Sequence, residues 1–171
     1  VRYRVMEKAK KVENPDGEII RCKMTDDMVK SSIEILSAEV LEKKKSLEEE
    51  DIIVVAGRGA KNETGVALCR ELADALGGQL AFTRPMVEDG FGDTAHQIGL
   101  SGRTVRPKLI ITCGVSGAIQ FTSCMNGSEC IVAINNNPEA QIFNTAHYCI
   151  VDDLNQVVPK LTELVRNRKE D

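Results

Sequence analysis

The sequence predicts an α/β fold: a doubly wound, mostly parallel sheet with helices on both faces. Three observations lead there. From Asp51 onward, short β-branched runs alternate with stretches of helical periodicity. The connections between most of them are short, as strands joined by crossover helices require. Two of the runs, Ile52–Val55 and Leu109–Thr112, break soon after at glycine, the usual way for a strand to turn towards a helix.

Bulk properties narrow the class. At 171 residues the chain is one domain of ordinary size, long enough to bury a real core. A hydrophobic share of 42% and a charged share of 28% describe a soluble globular chain, and no apolar stretch approaches the ~20 residues of a membrane span. The net charge of −4 argues against nucleic acid or an anionic membrane as the main partner. There is no Trp, and two Tyr with four Phe offer few platforms for stacking bases. Cys22, Cys69, Cys113, Cys124, Cys130 and Cys149 form no C-x-x-C pair and have no histidine at zinc spacing. Most lie in apolar runs, so they read as reduced, buried thiols of a cytoplasmic protein. The chain begins at Val1 without Met, so the lack of a visible targeting segment carries no weight.

In chain order, residues 1–30 are polar and lysine-rich, with a turn signal at Asn14-Pro15-Asp16-Gly17. Ser31–Leu41 is compatible with a strand, and Glu42–Asp51 is a charge run that reads as a solvated connection. Residues 1–50 are thus expected to be a connecting segment left from an N-terminal domain, and 51–171 the compact domain. Ile52–Val55 is its first strand, closed by Gly57-Arg58-Gly59-Ala60. Asn62–Leu76 follows as a helix with Val66, Cys69, Leu72, Ala73 and Leu76 on one face, stopped by Gly77-Gly78. Gln79–Thr83 is the next strand, and residues 86–108 read as a long glycine-bearing loop of the kind usually tied to function. A strand at 109–113, a helix at 116–125, a strand at 130–134 and a short strand at Tyr148–Val151 come next. The last helix carries Leu154, Val157, Leu161, Leu164 and Val165 on one side, with Pro159 either kinking it or opening its main part.

Ligands of such sheets bind beyond the carboxyl ends of the strands, which collects Arg58, Arg84, Ser116 and Asn135 on one rim. Ser116-Gly117-Ala118 after Gly114 would open a helix there, and a helix N-terminus suits a phosphate. Gly57-x-Gly59 tempts towards a dinucleotide fingerprint, but Asn62 stands where the third glycine belongs. Strand two ends in Thr83-Arg84 rather than an acid, and an arginine there could instead hold an NADP phosphate. No Ser-His-Asp set or metal cluster is suggested; His96 and His147 read as ordinary polar histidines. The residues by themselves stop at a nucleotide-type cofactor in an α/β domain.

A family resemblance goes further. Gly114-Val115-Ser116-Gly117-Ala118-Ile119-Gln120, Val132-Ala133-Ile134-Asn135 and Pro138-Glu139-Ala140-x-Ile142-Phe143 resemble the FAD-binding C-terminal domain of the electron-transfer flavoprotein alpha subunit. Gln97-Ile98-Gly99-Leu100-Ser101-Gly102, Gly57-Arg58-Gly59, Thr83-Arg84 and Ile150-Val151-x-Asp153-Leu154 match in order and spacing. The likeness runs from about Asp51 to Leu164, and residues 1–50 resemble the family's connection out of its N-terminal domain. It implies a Rossmann-like, FAD-binding fold, in a fragment of a longer chain. It also implies a beta-subunit partner, redox-protein donor and acceptor, no nucleic acid, no membrane insertion, and a cytoplasmic setting (mitochondrial matrix if eukaryotic).

Carried over by position, the resemblance places Arg58 at the ADP or phosphate portion of FAD. Thr83 and Arg84 fall at the isoalloxazine, where cationic charge favours reduced, anionic flavin. Gln97, Ile98, Gly99, Leu100 and Ser101 would wrap the flavin and ribityl chain, with the Ser101 hydroxyl towards N5. Ser116, Gly117, Ala118, Ile119 and Gln120 would serve the ribityl or pyrophosphate region, and Asn135 and Asp153 the adenosine half, with Leu154 packing nearby. Three positions depart from the family. Phe121 stands where a His near the flavin C2 carbonyl is common, Ser101 where a Thr is, and Leu100 where a Gln is. The implied function is an electron carrier; an FAD-less assembly remnant and an NADP-binding reductase domain are the alternatives.

Overall fold

The computed structural model describes residues 10, 13, 16–33, 36, 37, 45–60 and 62–170. The described residues fall into two compact units, one within 10–37 and the other from 45 to 170. In the first, the described residues contain one helical turn, α1 (Asp26–Val29), beside an exposed Lys30–Asp27 ion pair at 2.7 Å. Asn14 and Pro15 of the expected turn lie outside the described residues. So do 34, 35 and 38–41 of the expected strand; its described residues 31–33, 36 and 37 are not in strand conformation.

The second unit is built on six parallel strands: β1 (Ile52–Ala56), β2 (Gln79–Thr83), β3 (Gln97–Ile98), β4 (Leu109–Cys113), β5 (Cys130–Asn135) and β6 (Tyr148–Val151). They lie in the order β3-β2-β1-β4-β5-β6. Ile52 pairs with Leu109 and Ala56 with Cys113, so β1 and β4 end level with each other. The chain winds one way from β1 to β2 and the other way from β4 outward. The crevice of such a sheet therefore opens between the loops that follow β1 and β4.

Both faces are covered, by different means. Alternate residues Val54, Ala56, Leu80, Phe82, Ile111, Cys113 and Ile134 face the helices α2 (Glu63–Leu76) and α5 (Leu154–Glu170). Helix α2 is delimited as its sequence dictates. The Asn62 side chain accepts from Gly65 N at 3.0 Å, and Gly77 ends it in the left-handed region at φ 72°. Leu72 on its inner face is fully buried, and truncating such a leucine to alanine costs about 2–5 kcal/mol. Helix α5 runs through Pro159 and buries Leu154, Val158 and Thr162, while Leu164 is exposed. Thr162 tolerates burial because its hydroxyl donates to Val158 O at 2.8 Å.

The opposite face, Ile53, Val55, Ala81, Ile110, Ile131 and Ala133, packs under Ile98, Val105, Val115, Phe121, Met125 and Ile142. These come from loops and single turns. The helix expected at 116–125 contracts to α4 (Ile119–Thr122), because Gly117 sits at φ 90° and breaks the helical run before it. The expected loop 86–108 is more ordered than its composition implies. It begins within α3 (Arg84–Glu88), which Pro85 initiates rather than blocks, and it contains a turn at Thr94–His96 and strand β3. Of the charge run Glu42–Asp51, residues 42–44 lie outside the described residues and Lys45, Ser46 and Asp51 are exposed, but its middle is not solvated. Residues Leu47–Glu49 form a 3₁₀ turn with Leu47, Glu48 and Glu50 buried, Glu48 held by Arg103 at 3.2 Å and Glu50 by Lys45 at 2.9 Å.

Candidate functional site

Close packing of two glycine loops creates the site. Gly57 N donates to Cys113 O and Gly59 N to Gly114 O, both at 2.9 Å. A Cβ on Gly59 would stand 2.7 Å from Gly114 Cα, so only glycines let the loops after β1 and β4 meet this closely. Above them, along the carboxyl ends of the strands, lies a cleft of about 1030 Å3. That is the upper end of the roughly 300–1,000 Å3 typical of small-molecule sites.

The structure brings together at this cleft Arg58, Thr83, Arg84, Ile98, Gly99, Leu100, Ser101, Ser116, Ala118, Gln120, Phe121 and Asn135. Five expected residues are not in its lining. Gln97 is buried behind the cleft wall and donates from Nε2 to Ser101 Oγ at 2.9 Å. Gly117 makes the turn, where a Cβ would collide with Ile142 N, and Ile119 points to solvent at 72% exposure. Asp153 accepts from Asn155 N at 2.9 Å at the start of α5, the geometry of a helix cap. Leu154 is buried against the α2–α5 face.

Sequence reasoning missed Pro85, Glu88, Asn137, Glu139, Ala140 and Gln141, which also line the cleft. All lie within a few residues of expected positions, so continuing each loop past its conspicuous member would have found them.

The electrostatics are mixed. Arg84 Nε pairs with Glu88 Oε1 at 2.7 Å, with both side chains more than half exposed, so the positive charge expected there is partly neutralised. Arg58 is exposed and makes no ion pair among the described residues. It is the more available cation. A four-residue α4 has only a small dipole, so an anion at this point would meet loop backbone, Ser116 and Arg58 rather than a full helix end.

Asn135 has a larger structural part than expected. Its Nδ2 donates to Val115 O at 2.8 Å and its Oδ1 accepts from Asn137 N at 2.9 Å, clasping the loops after β4 and β5. Leu100 N donates to Gln120 O at 3.0 Å, joining two cleft loops through their backbones. Phe121 is buried in the apolar layer and also meets the cleft floor. A ring there gains burial where an imidazole would need polar partners.

Two perturbed acids lie elsewhere. The hydrogen bond from His96 to Asp93, at 2.7 Å, holds that carboxyl below its ordinary range. A hydrogen bond with Cys69, together with full burial, pushes the Cys113 thiol up, which disfavours its thiolate. Among the described residues no cluster of His, Cys, Asp or Glu could hold a metal ion, and no helix is long and apolar enough to cross a membrane.

Fold and site define a class: a Rossmann-like domain whose cleft offers cations, hydroxyls and an amide above an apolar floor. That donor set fits FAD, which joins a pyrophosphate, a polar ribityl chain and a flat ring.

Residues 46–126 match the family model of the electron transfer flavoprotein FAD-binding domain. The chain is 44% identical to the electron transfer flavoprotein subunit alpha of Thermoanaerobacterium thermosaccharolyticum, over 99% of this chain and 52% of that protein. It is 42% identical to subunit LctC of the NAD(+),ferredoxin lactate dehydrogenase of Acetobacterium woodii, over 96% of this chain and 40% of that subunit. It is 41% identical to protein FixB of Azotobacter vinelandii, over 89% of this chain and 43% of that protein. The chain is similar to the FAD-binding part of the electron transfer flavoprotein alpha subunits. It spans about half the length, or less, of these relatives.

Proposed function

We propose that the chain binds FAD in the cleft beyond β1 and β4 and acts as the FAD-binding part of an electron transfer flavoprotein alpha subunit. The observation that carries this reading is the convergence of the Gly57–Gly59, Thr83–Arg84, Gly99–Ser101 and Ser116–Gln120 loops on one cleft in a chain similar to this family. When bound, FAD supplies the redox chemistry; the protein supplies position and field.

Arg58 takes the pyrophosphate through charge-assisted hydrogen bonds. Arg84 and Thr83 meet the ring, and Glu88 moderates the Arg84 charge. Ile98, Val115 and Phe121 exclude water beneath the ligand. Ser101 and Gln120 orient the flavin and ribityl portion, and Asn135 ties the loops after β4 and β5 together at the cleft. Asp153 and Leu154 support the rim near the adenosine half from outside the cleft lining, by capping α5 and anchoring its first turn.

A beta subunit completes the assembly, electrons arrive from a dehydrogenase or ferredoxin-type donor and leave to another redox protein, and the setting is cytoplasmic. The FAD-binding domain starts at about residue 45, and the preceding segment is a connection. The family match favours FAD over an NADP ligand at Arg58 or Arg84.

The test is a visible absorption titration of the purified chain with FAD after removal of excess ligand. Retained flavin bands support the reading. A colourless protein, both alone and combined with a beta subunit, refutes it.

A further inference from the structure

Gln97 stands out because it is buried, polar and adjacent to the cleft without lining it. Its backbone is locked: Gln97 O accepts from Arg103 N at 2.7 Å, and Gly99 N donates to Arg103 O at 3.2 Å. Gly102 closes the turn against it, where any Cβ would collide with Gln97 O. Its side chain reaches the cleft through Ser101, to whose Oγ its Nε2 donates at 2.9 Å.

A hydroxyl has one proton and two acceptor sites. A fixed amide N–H that fills one acceptor site leaves the proton to point elsewhere. Ser101 lines the cleft and is exposed, so that proton is left free to point towards a ligand bound there.

We propose that Gln97 is a positioning residue that fixes the Ser101 hydroxyl as a hydrogen-bond donor into the cleft, matched to an acceptor nitrogen or oxygen of an oxidised flavin ring. The proposal rests on the FAD reading above and assigns Gln97 a role through Ser101 rather than a contact of its own. It also gives the serine at this place a means of presenting its proton without a β-branched methyl to restrict its rotation.

The experiment uses the full chain with its partner subunit and measures the FAD dissociation constant and the visible absorption band of the bound flavin. Gln97→Leu removes the donor at similar volume and is expected to weaken oxidised FAD about fivefold, the value of one hydrogen bond. Ser101→Ala is expected to do at least the same, and adding Gln97→Leu to it should change neither affinity nor band position. Gln97→Glu presents only acceptors, draws the hydroxyl proton away from the cleft and should weaken FAD more than Gln97→Leu. Gln97→Met replaces the leucine variant if that one does not fold.

A flavin-free cycle reads the hydrogen bond itself. In melting experiments the two single substitutions should be non-additive in the double variant. An undiminished Gln97→Leu effect in the Ser101→Ala background overturns the proposal, as do additive melting shifts or a glutamate that binds FAD as well as wild type. A wild-type complex that takes up no flavin, with the melting coupling intact, overturns the FAD reading and this assignment with it.

Discussion

Replacing Asn135 by alanine tests how the loops that wall the cleft are held together. The side chain donates to Val115 O at 2.8 Å and accepts from Asn137 N at 2.9 Å. Val115 is buried, so its carbonyl would be stranded at a cost of about 1–3 kcal/mol. Asn137 is exposed and water can replace the lost acceptor, so that bond adds only about 0.5 kcal/mol. The sum is about 1.5–3.5 kcal/mol. For a unit between the small and large domain classes, this lowers Tm by about 10 °C. Thermal unfolding followed by circular dichroism, without ligand, reads it directly. Asn135→Asp is the control: it keeps the acceptor for Asn137 N but sets a carboxylate against the Val115 carbonyl, and should be no more stable than alanine. An alanine variant melting within about 1 °C of wild type would refute the clasp, since a lost buried hydrogen bond moves Tm by several degrees.

Other predictions follow from the same geometry. Arg58→Ala should raise the FAD dissociation constant roughly tenfold by equilibrium titration, the value of a charge-assisted bond. Binding by that variant should also respond less to added salt than wild type. Gly117→Ala, at φ 90° with a Cβ directed into Ile142 N, should cost about 3 kcal/mol or more by denaturant unfolding. The Asp93 carboxyl is held below its ordinary value of 3.8 by His96, so its bond stabilises the fold above that pH and is lost as pH falls through the lowered value. Asp93→Asn should therefore be slightly less stable at neutral pH and converge with wild type in acid. The effect is small because Asp93 is largely exposed.

The strands were legible for a physical reason. Strands buried on both faces read as continuous apolar runs, and Ile52–Val55, Gln79–Thr83 and Leu109–Thr112 sit within one residue of the observed elements. Helix α2 was legible because Asn62, its inner face and Gly77 all agree with one another. What was not legible depends on tertiary structure. A two-residue β3 has no period to detect, and its existence rests on pairing with Phe82 and Thr83. Glu48 and Glu50 look solvated until Arg103 and Lys45 meet them.

Within the site, the rim rule and the family motif found the loops, since both concern backbone position. They did not separate contact from support. Gln97, Asp153 and Asn135 carry polar groups that could equally bind a ligand or the protein, and only the hydrogen-bond partners decide. Phe121 was legible as a departure, but its place in the apolar layer under the cleft was not.

The measurement that bears most directly on the central claim is FAD binding by this chain, titrated by absorption and compared with the Arg58→Ala variant. The wild type is expected to retain one flavin per chain, and the variant to hold it roughly tenfold more weakly. A chain that holds no flavin even with a beta subunit present, or one that binds FAD equally well without Arg58, would contradict it.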